Sequence, residues 1–492
     1  MGSVQNDNGD GQRNWRAFAV CAVGAALPVL DVTKVYIVAP AMEASVHASA
    51  LSTQLVVAGY VLAFGLVLVP AGRYGDLHSR RTTFLFGVAL FALASLAVGL
   101  APNEQVLVIA RLLQGVSAGI LTPQVFGLIQ QLFSGPTRMR AFGLLGGIFG
   151  LSTSFAPALG GLMVGLGGPD LGWRLSFLLN VPIAAVVLIL APRLIAPSPR
   201  TADAVRDFDP LGSLLLALTT VSLLAPFVLT GTGDDPRRWL ILIGVPVFAA
   251  LFVRWEIGYA RRGRVPIIDL RLFGLASFRN GLVISVAYYG AMPGTLYVLS
   301  LFVQDGLGQS PLVAGIVAIT LSLGYAGASL LGGRLVVRHG RGLVVAGAAI
   351  YAVGIACTLL IGLFADRSIA PWLMMIPLTV TGIGGGWIGP PNQALSMADV
   401  PSTEGGLAGS ILQVSQRLGT AVGVAVVAAI FAVVFVGEST VSGPLAAGRH
   451  AFGIAIAVVL GFTLATLALA LVDMLRRSKP PRADLQERPE TP

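Results

Sequence analysis

Charged residues are scarce in this sequence. Asp, Glu, Lys and Arg make up 11% of its 492 residues, whereas a soluble domain carries roughly 25%. This shortage excludes an ordinary soluble protein, because such a protein covers its surface with polar and charged side chains. Since 55% of the residues are hydrophobic and the mean hydropathy is +0.82, most of the chain is expected to face lipid or other apolar helices.

Cysteine and histidine are also scarce, and no nucleotide-binding loop is present. The two cysteines, Cys21 and Cys357, lie inside apolar stretches, so they predict packing residues and no disulfide framework. The four histidines fall in or near loops without metal-ligand spacing, so no metal site is predicted. Because a G-x-x-x-x-G-K-[ST] segment is missing, ATP is not the expected energy source and no cofactor is predicted.

Long apolar runs are what the sequence does contain. A helix needs about 20 mostly apolar residues to cross a bilayer, and fourteen runs meet this requirement. They are predicted at residues 15–41, 53–72, 82–101, 104–133, 140–165, 174–195, 209–231, 238–256, 279–304, 311–336, 342–364, 371–397, 405–436 and 450–473.

The loops between these runs alternate in charge. Basic residues such as Arg80, Arg81, Arg338 and Arg341 concentrate in the even-numbered loops, and the odd-numbered loops carry few. Cytoplasmic loops are enriched in Lys and Arg, so both termini are predicted in the cytoplasm, with the chain a multi-pass protein of the cell inner membrane. The net charge of +9 therefore reflects membrane orientation, and no nucleic acid partner is predicted.

The chain also repeats itself. Segments 2 and 10 each end in Gly-Arg before a basic loop, and segments 4 and 12 share a Gly/Gly/Pro spacing. These two matches pair segments 1–6 with segments 9–14. An arrangement of two six-helix halves is typical of transporters. The predicted domains are a cytoplasmic tail at 1–14, a bundle at 15–200, a linker with two extra transmembrane helices at 201–275, a second bundle at 276–475, and a cytoplasmic tail at 476–492.

Asp31, Lys34, Arg111 and Arg417 are charged residues that lie well inside predicted segments, away from the segment ends. Ionisable groups are costly within a membrane, which makes each a functional candidate. Asp31 and Lys34 are three residues apart on segment 1 and therefore share a helix face. They predict either a proton-accepting carboxylate with a neighbouring cation or a structural ion pair. Arg111 and Arg417 either orient a carboxylate or a substrate, or satisfy backbone carbonyls.

Two further sites are candidates for gating. In the loop predicted after segment 2, Asp76 is expected close to the start of segment 13, where a helix dipole favours a carboxylate. The alternative is a solvated loop. Segment 5 contains Gly146, Gly147, Gly150, Pro157, Gly160 and Gly161, which permit a bend at a bundle interface, with tight packing as the alternative. The gating candidates are Gly72, Asp76, Arg80, Arg81, Pro157, Gly160 and Gly161.

Uncharged polar residues within the segments are candidates for lining a substrate cavity. For any single one of them, a hydrogen bond between helices is the alternative. The candidates are Tyr36, Gln114, Gln124, Asn180, Tyr288, Tyr289, Asn392, Gln413 and Gln416, and the cations Lys34 and Arg417 join them as substrate-binding candidates.

Several of these residues stand in motifs that occur in one order along the chain. Leu30–Pro40 resembles a first-helix signature, Gly72–Arg81 resembles motif A, Arg111–Gly115 is similar to motif B, and Ala156–Gly161 is similar to the antiporter motif C. In this the chain resembles the major facilitator superfamily, and within it the fourteen-helix drug:proton antiporters of the EmrB/QacA type. The resemblance implies an all-α membrane fold of two six-helix bundles plus two central helices, with Arg111 linked to proton coupling.

The departures from this pattern concern charge. Leu77 stands where motif A usually has a basic residue, and Ser79 where it has Gly. Cation exporters of the family often carry carboxylates in the second half, but segments 9 and 10 offer none deeper than Asp305. With Lys34 and Arg417 present, a dicationic substrate is less expected than a neutral, zwitterionic or anionic one.

The predicted function is export of a drug, antibiotic or related amphipathic molecule, driven by the proton motive force. The alternatives are an exporter of an endogenous metabolite or lipid, and an uptake symporter. A polytopic membrane enzyme is disfavoured, because the short external loops lack carboxylate or His clusters. The predicted partners are a small-molecule substrate, protons and the bilayer, and the chain is expected to act as a monomer.

Overall fold

The computed structural model describes residues 4–197, 209–228, 236–264, 266 and 270–477. Within these ranges every regular element is a helix, as a bilayer demands of a chain whose backbone groups must pair internally. The main helices are α1 Val4–Val46, α2 Tyr60–Leu77, α3 Arg80–Gly99, α4 Glu104–Leu132, α5 Gly135–Leu178, α6 Asn180–Leu194, α7 Pro210–Val228, α8 Gly244–Arg261, α9 Ala276–Leu301, α10 Pro311–His339, α11 Arg341–Phe364, α12 Ala370–Ser396, α13 Gly405–Ser442 and α14 Pro444–Arg477.

Each of the fourteen predicted segments overlaps one or two of these helices. In the described part of the chain, twelve helices are long and apolar enough to cross a membrane. The other two predicted segments, 140–165 and 209–231, overlap the shorter apolar stretches Leu159–Gly168 and Pro210–Leu223. A count of fourteen spans therefore stays a prediction. The tail predicted at residues 1–14 is helical from Val4.

A glycine divides α5. Gly168 has φ 71° and ψ −178°, a conformation that is essentially restricted to glycine because a side chain would clash with the backbone. The apolar span that begins at Asp170 therefore runs through the end of α5 into α6 and ends at Leu194.

The helix packing repeats with an offset of eight helices. In the first half α1 packs on α4, α5 and α6, and α4 also packs on α2 and α3. In the second half α9 packs on α12, α13 and α14, and α12 also packs on α10 and α11. The contacts between the halves are reciprocal as well, because α5 meets α10 while α2 meets α13. This pattern is that of two six-helix bundles related by pseudo-symmetry.

The helices α7 and α8 lie outside these two bundles. α7 packs on α2, α13 and α8, and the principal helical neighbour of α8 is α7. Apolar side chains of α8 such as Val247, Leu251 and Ile257 are exposed, as expected of a lipid-facing surface. The predicted domain limits at 201 and 275 fall in or beside the part of the chain that the structure leaves undescribed, and they stay predictions.

The two halves are packed together at the end that carries Asp76. There one hydrophobic cluster joins side chains of both halves, including Phe126 and Phe142 with Leu407 and Leu412. Towards the opposite end the halves belong to separate clusters, one around Phe177 and one that contains Phe302 and Phe452. The structure is therefore closed at the end that the sequence assigns to the cytoplasm.

Candidate transport site

Asp31 is the centre of a buried polar cluster in the first bundle. Its side chain is fully buried on α1, one turn after Pro28, and each carboxylate oxygen is paired. Oδ1 lies 3.0 Å from Lys34 Nζ and accepts a hydrogen bond of 2.9 Å from Asn180 Nδ2. Oδ2 lies 2.5 Å from Arg111 Nη1. We call Asp31, Lys34, Arg111 and Asn180 the Asp31 cluster.

Further polar groups from α3 and α4 hold this cluster in place. Gln114 accepts a hydrogen bond of 2.7 Å from Arg111 and donates one of 2.8 Å to Ser95. Ser95 also accepts from Asn180 at 3.2 Å. The cluster thus ties α1, α3, α4 and α6 together, and its members are at most 2% exposed.

Both cations of the cluster have aromatic neighbours. The Lys34 ammonium donates to the Ser176 carbonyl at 2.6 Å and lies 4.9 Å from the centre of the Phe177 ring. The Arg111 guanidinium lies 4.5 Å from the centre of the Tyr60 ring. With one carboxylate and two cations, the cluster carries a net charge of +1 when all three groups are ionised. Burying such a group is costly and adds little stability, which favours a functional role over a purely structural ion pair.

A cavity of about 300 Å³ lies between the two halves. Its wall combines aromatic rings with amides and a single guanidinium. Among the lining residues are Tyr60, Phe64, Phe149, Tyr289, Tyr325, Gln393, Gln413, Gln416 and Arg417. Tyr60 belongs to both sites, because its ring covers Arg111 and its side chain forms part of the cavity wall.

The structure divides the predicted substrate-binding residues into two groups. Tyr289, Gln413, Gln416 and Arg417 line the cavity, and the Arg417 guanidinium lies 4.8 Å from the centre of the Phe64 ring. Three others, Lys34, Gln114 and Asn180, belong to the Asp31 cluster and its hydrogen-bonding neighbours, and they are absent from the cavity wall among the described residues. In this state the polar groups of these three residues are engaged between helices, and their contact with a substrate stays a prediction.

The remaining candidates hold helices together. Gln124 donates to the Ala71 carbonyl at 2.9 Å, and Tyr288 donates to the Gly385 carbonyl at 3.2 Å. Asn392 donates to the Gly281 carbonyl at 2.9 Å and accepts from Arg341. These three residues therefore form hydrogen bonds between helices, which is the alternative considered for them in the sequence analysis. The side chain of Tyr36 lies outside those that the structure describes.

Two cavity residues that the sequence analysis missed share a position in the internal repeat. Phe64 and Tyr325 each stand eight residues before the Gly-Arg pair of their half, at Gly72 and Gly333. Both line the cavity. The internal repeat therefore indicates that these two positions are equivalent. Phe64 was missed because only polar residues were considered as candidates for lining the cavity.

The contact expected between Asp76 and the start of segment 13 is present. Asp76 accepts hydrogen bonds from the backbone N–H groups of Gly406 at 3.1 Å and Leu407 at 2.8 Å. Its side chain is only 1% exposed, so the alternative of a solvated loop is wrong. The prediction that Asp76 lies in a loop is also wrong, because α2 continues to Leu77. Its carboxylate therefore meets the positive end of the α13 dipole.

The other gating candidates around Asp76 have distinct contacts. Arg80 donates to Asp76 at 2.7 Å, to the Gly127 carbonyl at 2.9 Å and to the Ser402 carbonyl at 2.5 Å, so it links both halves. Arg81 instead donates to the Pro192 carbonyl at 2.8 Å within the first half. At Gly72 an added Cβ would lie 2.1 Å from Ser410 Oγ, so this glycine permits the close contact of α2 with α13.

The glycines predicted in segment 5 have two different surroundings in α5. A Cβ at Gly160 would meet Lys34 and Val38 of the same half at about 3.4 Å, and one at Gly161 would meet nothing within 4 Å. The earlier glycines meet the second half, because a Cβ at Gly146 would lie 2.1 Å from Pro390 and one at Gly147 would lie 2.6 Å from Leu330 of α10. The side chain of Pro157 lies outside those described.

Comparison with known proteins identifies the family. The model of the Major Facilitator Superfamily matches residues 21–298 and 281–492. The chain belongs to this superfamily. As a member of the Major Facilitator Superfamily it is a multi-pass membrane transporter and not an enzyme, which confirms the all-α membrane fold and the resemblance to the superfamily. Its assignment to the fourteen-helix EmrB/QacA type stays a prediction.

Curated relatives from bacteria are similar over most of their length. The "Probable actinorhodin transporter" of Streptomyces coelicolor is 32% identical over 424 residues, 85% of this chain and 72% of that protein. The "Puromycin resistance protein pur8" of Streptomyces alboniger is 32% identical over 479 residues, 94% of this chain and 92% of that protein. The "Drug efflux pump JefA" of Mycobacterium tuberculosis is 31% identical over 416 residues, covering 83% and 79%.

Solved structures of the superfamily share the fold. The human organic anion transporter MFSD10 superposes with a TM-score of 0.66 at 17% identity, over 93% of this chain and 99% of that chain. The proton:xylose symporter XylE superposes with a TM-score of 0.62 at 15% identity, over 93% and 96%. At these identities the likeness concerns the fold alone.

Proposed function

We propose that this protein is a proton-coupled antiporter that exports a small organic molecule of the drug or antibiotic class across the cytoplasmic membrane. The observation that carries the proposal is the position of the Asp31 cluster, which is separated from the central cavity by the Tyr60 side chain. The names of the curated relatives, which include an antibiotic transporter, a resistance protein and a drug efflux pump, support export over uptake.

Asp31 is proposed to carry the proton. Its ionised carboxylate binds Lys34 and Arg111, and protonation would remove this attraction. The contact between α1 and α4 would then loosen, and the cations would turn to other partners. A proton bound at Asp31 therefore changes the packing of the helix whose next residues, Val32 and Thr33, line the cavity.

The energy comes from the proton motive force. Each charge that crosses the membrane gains about 2.3 kcal/mol per 100 mV, which can drive a substrate against its gradient if proton and substrate use the cavity in turn. The contact of Asp76 with α13 stabilises the state seen here, closed at the predicted cytoplasmic end. Breaking it gives access to the opposite state.

The experiment is transport by purified protein in proteoliposomes with an acidic lumen and an alkaline exterior, with a non-basic member of a drug panel as the first probe, because an amine would be trapped in an acidic lumen without any transporter. An antiporter accumulates the probe inside as protons leave, and nigericin abolishes this accumulation by collapsing the pH gradient. Accumulation that requires the opposite gradient would establish a symporter instead. Accumulation of every transported probe without any gradient dependence would refute proton coupling.

A further inference from the structure

The formal charge on the described part of the cavity wall is positive. Among the described lining residues Arg417 carries the only formal charge, and none is a carboxylate. The tyrosines on the wall, Tyr60, Tyr289 and Tyr325, are neutral near pH 7, since a phenol ordinarily titrates near pH 10. From the described part of the wall, a substrate in this cavity therefore meets a guanidinium and no carboxylate.

The Asp31 cluster adds to this positive potential. Its net charge of +1 lies directly behind Tyr60, with the Arg111 guanidinium against the ring. A low-dielectric interior screens charges weakly, so the cluster repels a cation in the cavity. Protonation of Asp31 would raise the cluster charge to +2 and strengthen this repulsion.

Arg417 lines the cavity together with aromatic and amide side chains. Gln413, Gln416, Arg417 and Thr420 are spaced at i, i+3, i+4 and i+7 on α13, so they share one helix face, and all four line the cavity. The guanidinium lies over the Phe64 ring at 4.8 Å. Its planar fork of N–H donors suits the oxygen atoms of carbonyl, phenolate or carboxylate groups.

We propose that the substrate is an aromatic molecule without net positive charge, in which an oxygen acceptor binds Arg417 and the ring system packs against the aromatic side chains of the wall. The cavity volume of about 300 Å³ matches the lower end of the usual range for small-molecule sites, about 300–1,000 Å³, and so favours a compact ring system. This inference rests on the proposed function only in taking the central cavity as the substrate site.

The test uses three anthraquinones that share a ring and differ in charge. They are anthraquinone-2-carboxylate, its carboxamide, and the 2-(trimethylammonio)methyl derivative. Binding to purified protein is measured by equilibrium dialysis, which requires no transport. The carboxylate or the carboxamide should bind at least about tenfold more tightly than the cation, as expected when one charge-assisted hydrogen bond is exchanged for repulsion.

Variants of Arg417 test whether this side chain causes the preference for the carboxylate over the cation. Arg417→Gln should weaken carboxylate binding about 10- to 100-fold, the range for a lost hydrogen bond to a charged group, and should leave cation binding equal or tighter. Arg417→Lys keeps the charge and should recover part of the loss, while Arg254→Gln on the exposed face of α8 should match the unmodified protein. Size-exclusion chromatography shows whether each variant is folded. If Arg417→Gln is not folded, the binding of the three compounds to Arg417→Lys is compared with that to the unmodified protein instead.

A transport measurement separates the two proposals. At one proton per cycle, a neutral substrate moves one charge and an exported monoanion moves two. A membrane potential that raises the carboxamide gradient about tenfold should therefore raise the carboxylate gradient about a hundredfold. If the compounds bind as expected but no pH gradient concentrates them, the proposed function fails and the substrate class stands. If the cation binds as tightly as both others, or Arg417→Gln binds the carboxylate normally, the substrate class is refuted while proton-coupled transport is unaffected.

Discussion

The carboxylate of Asp31 and the guanidinium of Arg111 lie 2.5 Å apart in the interior of the first bundle, although the residues are 80 positions apart in sequence. The contact joins α1 to α4 next to the cavity. Lys34 completes the pairing on the other carboxylate oxygen. Both oxygens of the Asp31 carboxylate are therefore paired with cations, and any rearrangement that separates α1 from α4 breaks the pair with Arg111.

Asp31→Asn should abolish accumulation against a gradient and still allow substrate to equilibrate downhill. The amide keeps the size of the side chain but can neither bind nor release a proton. The measurement is substrate flux in proteoliposomes with and without an imposed pH gradient. Continued uphill transport by this variant would show that the proton is carried elsewhere.

The matched control for that variant is Asp366→Asn. Asp366 lies in the exposed turn between α11 and α12, where hydrogen bonds from Ser368 lower the pKa of the carboxyl group below its ordinary value. The folded-state pKa is lowered, so the charge is lost only under acid conditions and the group stays ionised over the pH range of the assay. Transport by Asp366→Asn should equal that of the unmodified protein.

Tyr60→Ala should produce a proton leak in the absence of substrate. The ring of Tyr60 stands between the Asp31 cluster and the cavity, and its removal admits water to Arg111 and Asp31. Tyr60→Phe keeps the ring and should remain tight, since the Tyr60 hydroxyl is buried with no hydrogen-bond partner among the described atoms. Proton flux into pyranine-loaded proteoliposomes measures the leak, and equal leaks in both variants would contradict a barrier role for the ring.

Asp76→Asn should lower the transport rate while leaving substrate binding largely intact. A carboxylate at a helix N-terminus contributes about 0.3–1 kcal/mol when exposed and up to about 2 kcal/mol when partly buried, so its loss shifts the two-state equilibrium without altering the cavity. The readout of that shift is thiol labelling of Ala408→Cys in a background without Cys21 and Cys357, because Ala408 is fully buried in the closed state.

The control for Asp76 is Asp399, which is exposed and lies in the segment between α12 and α13. Asp399→Asn should leave both transport and labelling unchanged. Asp76→Asn should increase labelling of the cysteine at 408. Loss of substrate binding in parallel with transport would argue against a gating role.

Asp473→Asn should destabilise the second bundle without uncoupling transport. Asp473 pairs with Arg341 at 2.5 Å and accepts from Asn280 at 2.7 Å, and the ion pair is almost fully buried. Removing one partner of a buried pair typically costs about 3–5 kcal/mol. Thermal unfolding in detergent should show a lower midpoint temperature for Asp473→Asn. The double variant Arg341→Met with Asp473→Leu should recover part of the lost midpoint temperature. Loss of gradient dependence in a folded Asp473→Asn protein would point to a coupling role.

Much of the fold followed from the sequence because a bilayer imposes simple rules. Span length and apolar composition located the helices, and the two Gly-bearing motifs located the repeat that the helix packing reproduces. The motif that begins at Gly72 also predicted the partner of Asp76, since a carboxylate and a helix N-terminus attract each other over a short range. Asp31 was identified because a carboxylate inside an apolar run requires a partner.

The tertiary structure alone decided which polar residues face the cavity. Helical periodicity places Gln413, Gln416 and Arg417 on one face of α13, but it does not say whether that face meets the cavity or another helix. Gln114 and Asn180 have similar sequence surroundings, yet helix packing turns them to Asp31 and its partners. Of the glycines predicted in segment 5, Gly147 meets α10 and Gly161 meets nothing within 4 Å. The physical reason is that sequence spacing fixes directions relative to a helix's own axis, whereas the rotation of each helix about that axis is set by side chains of other helices that are far away in the chain.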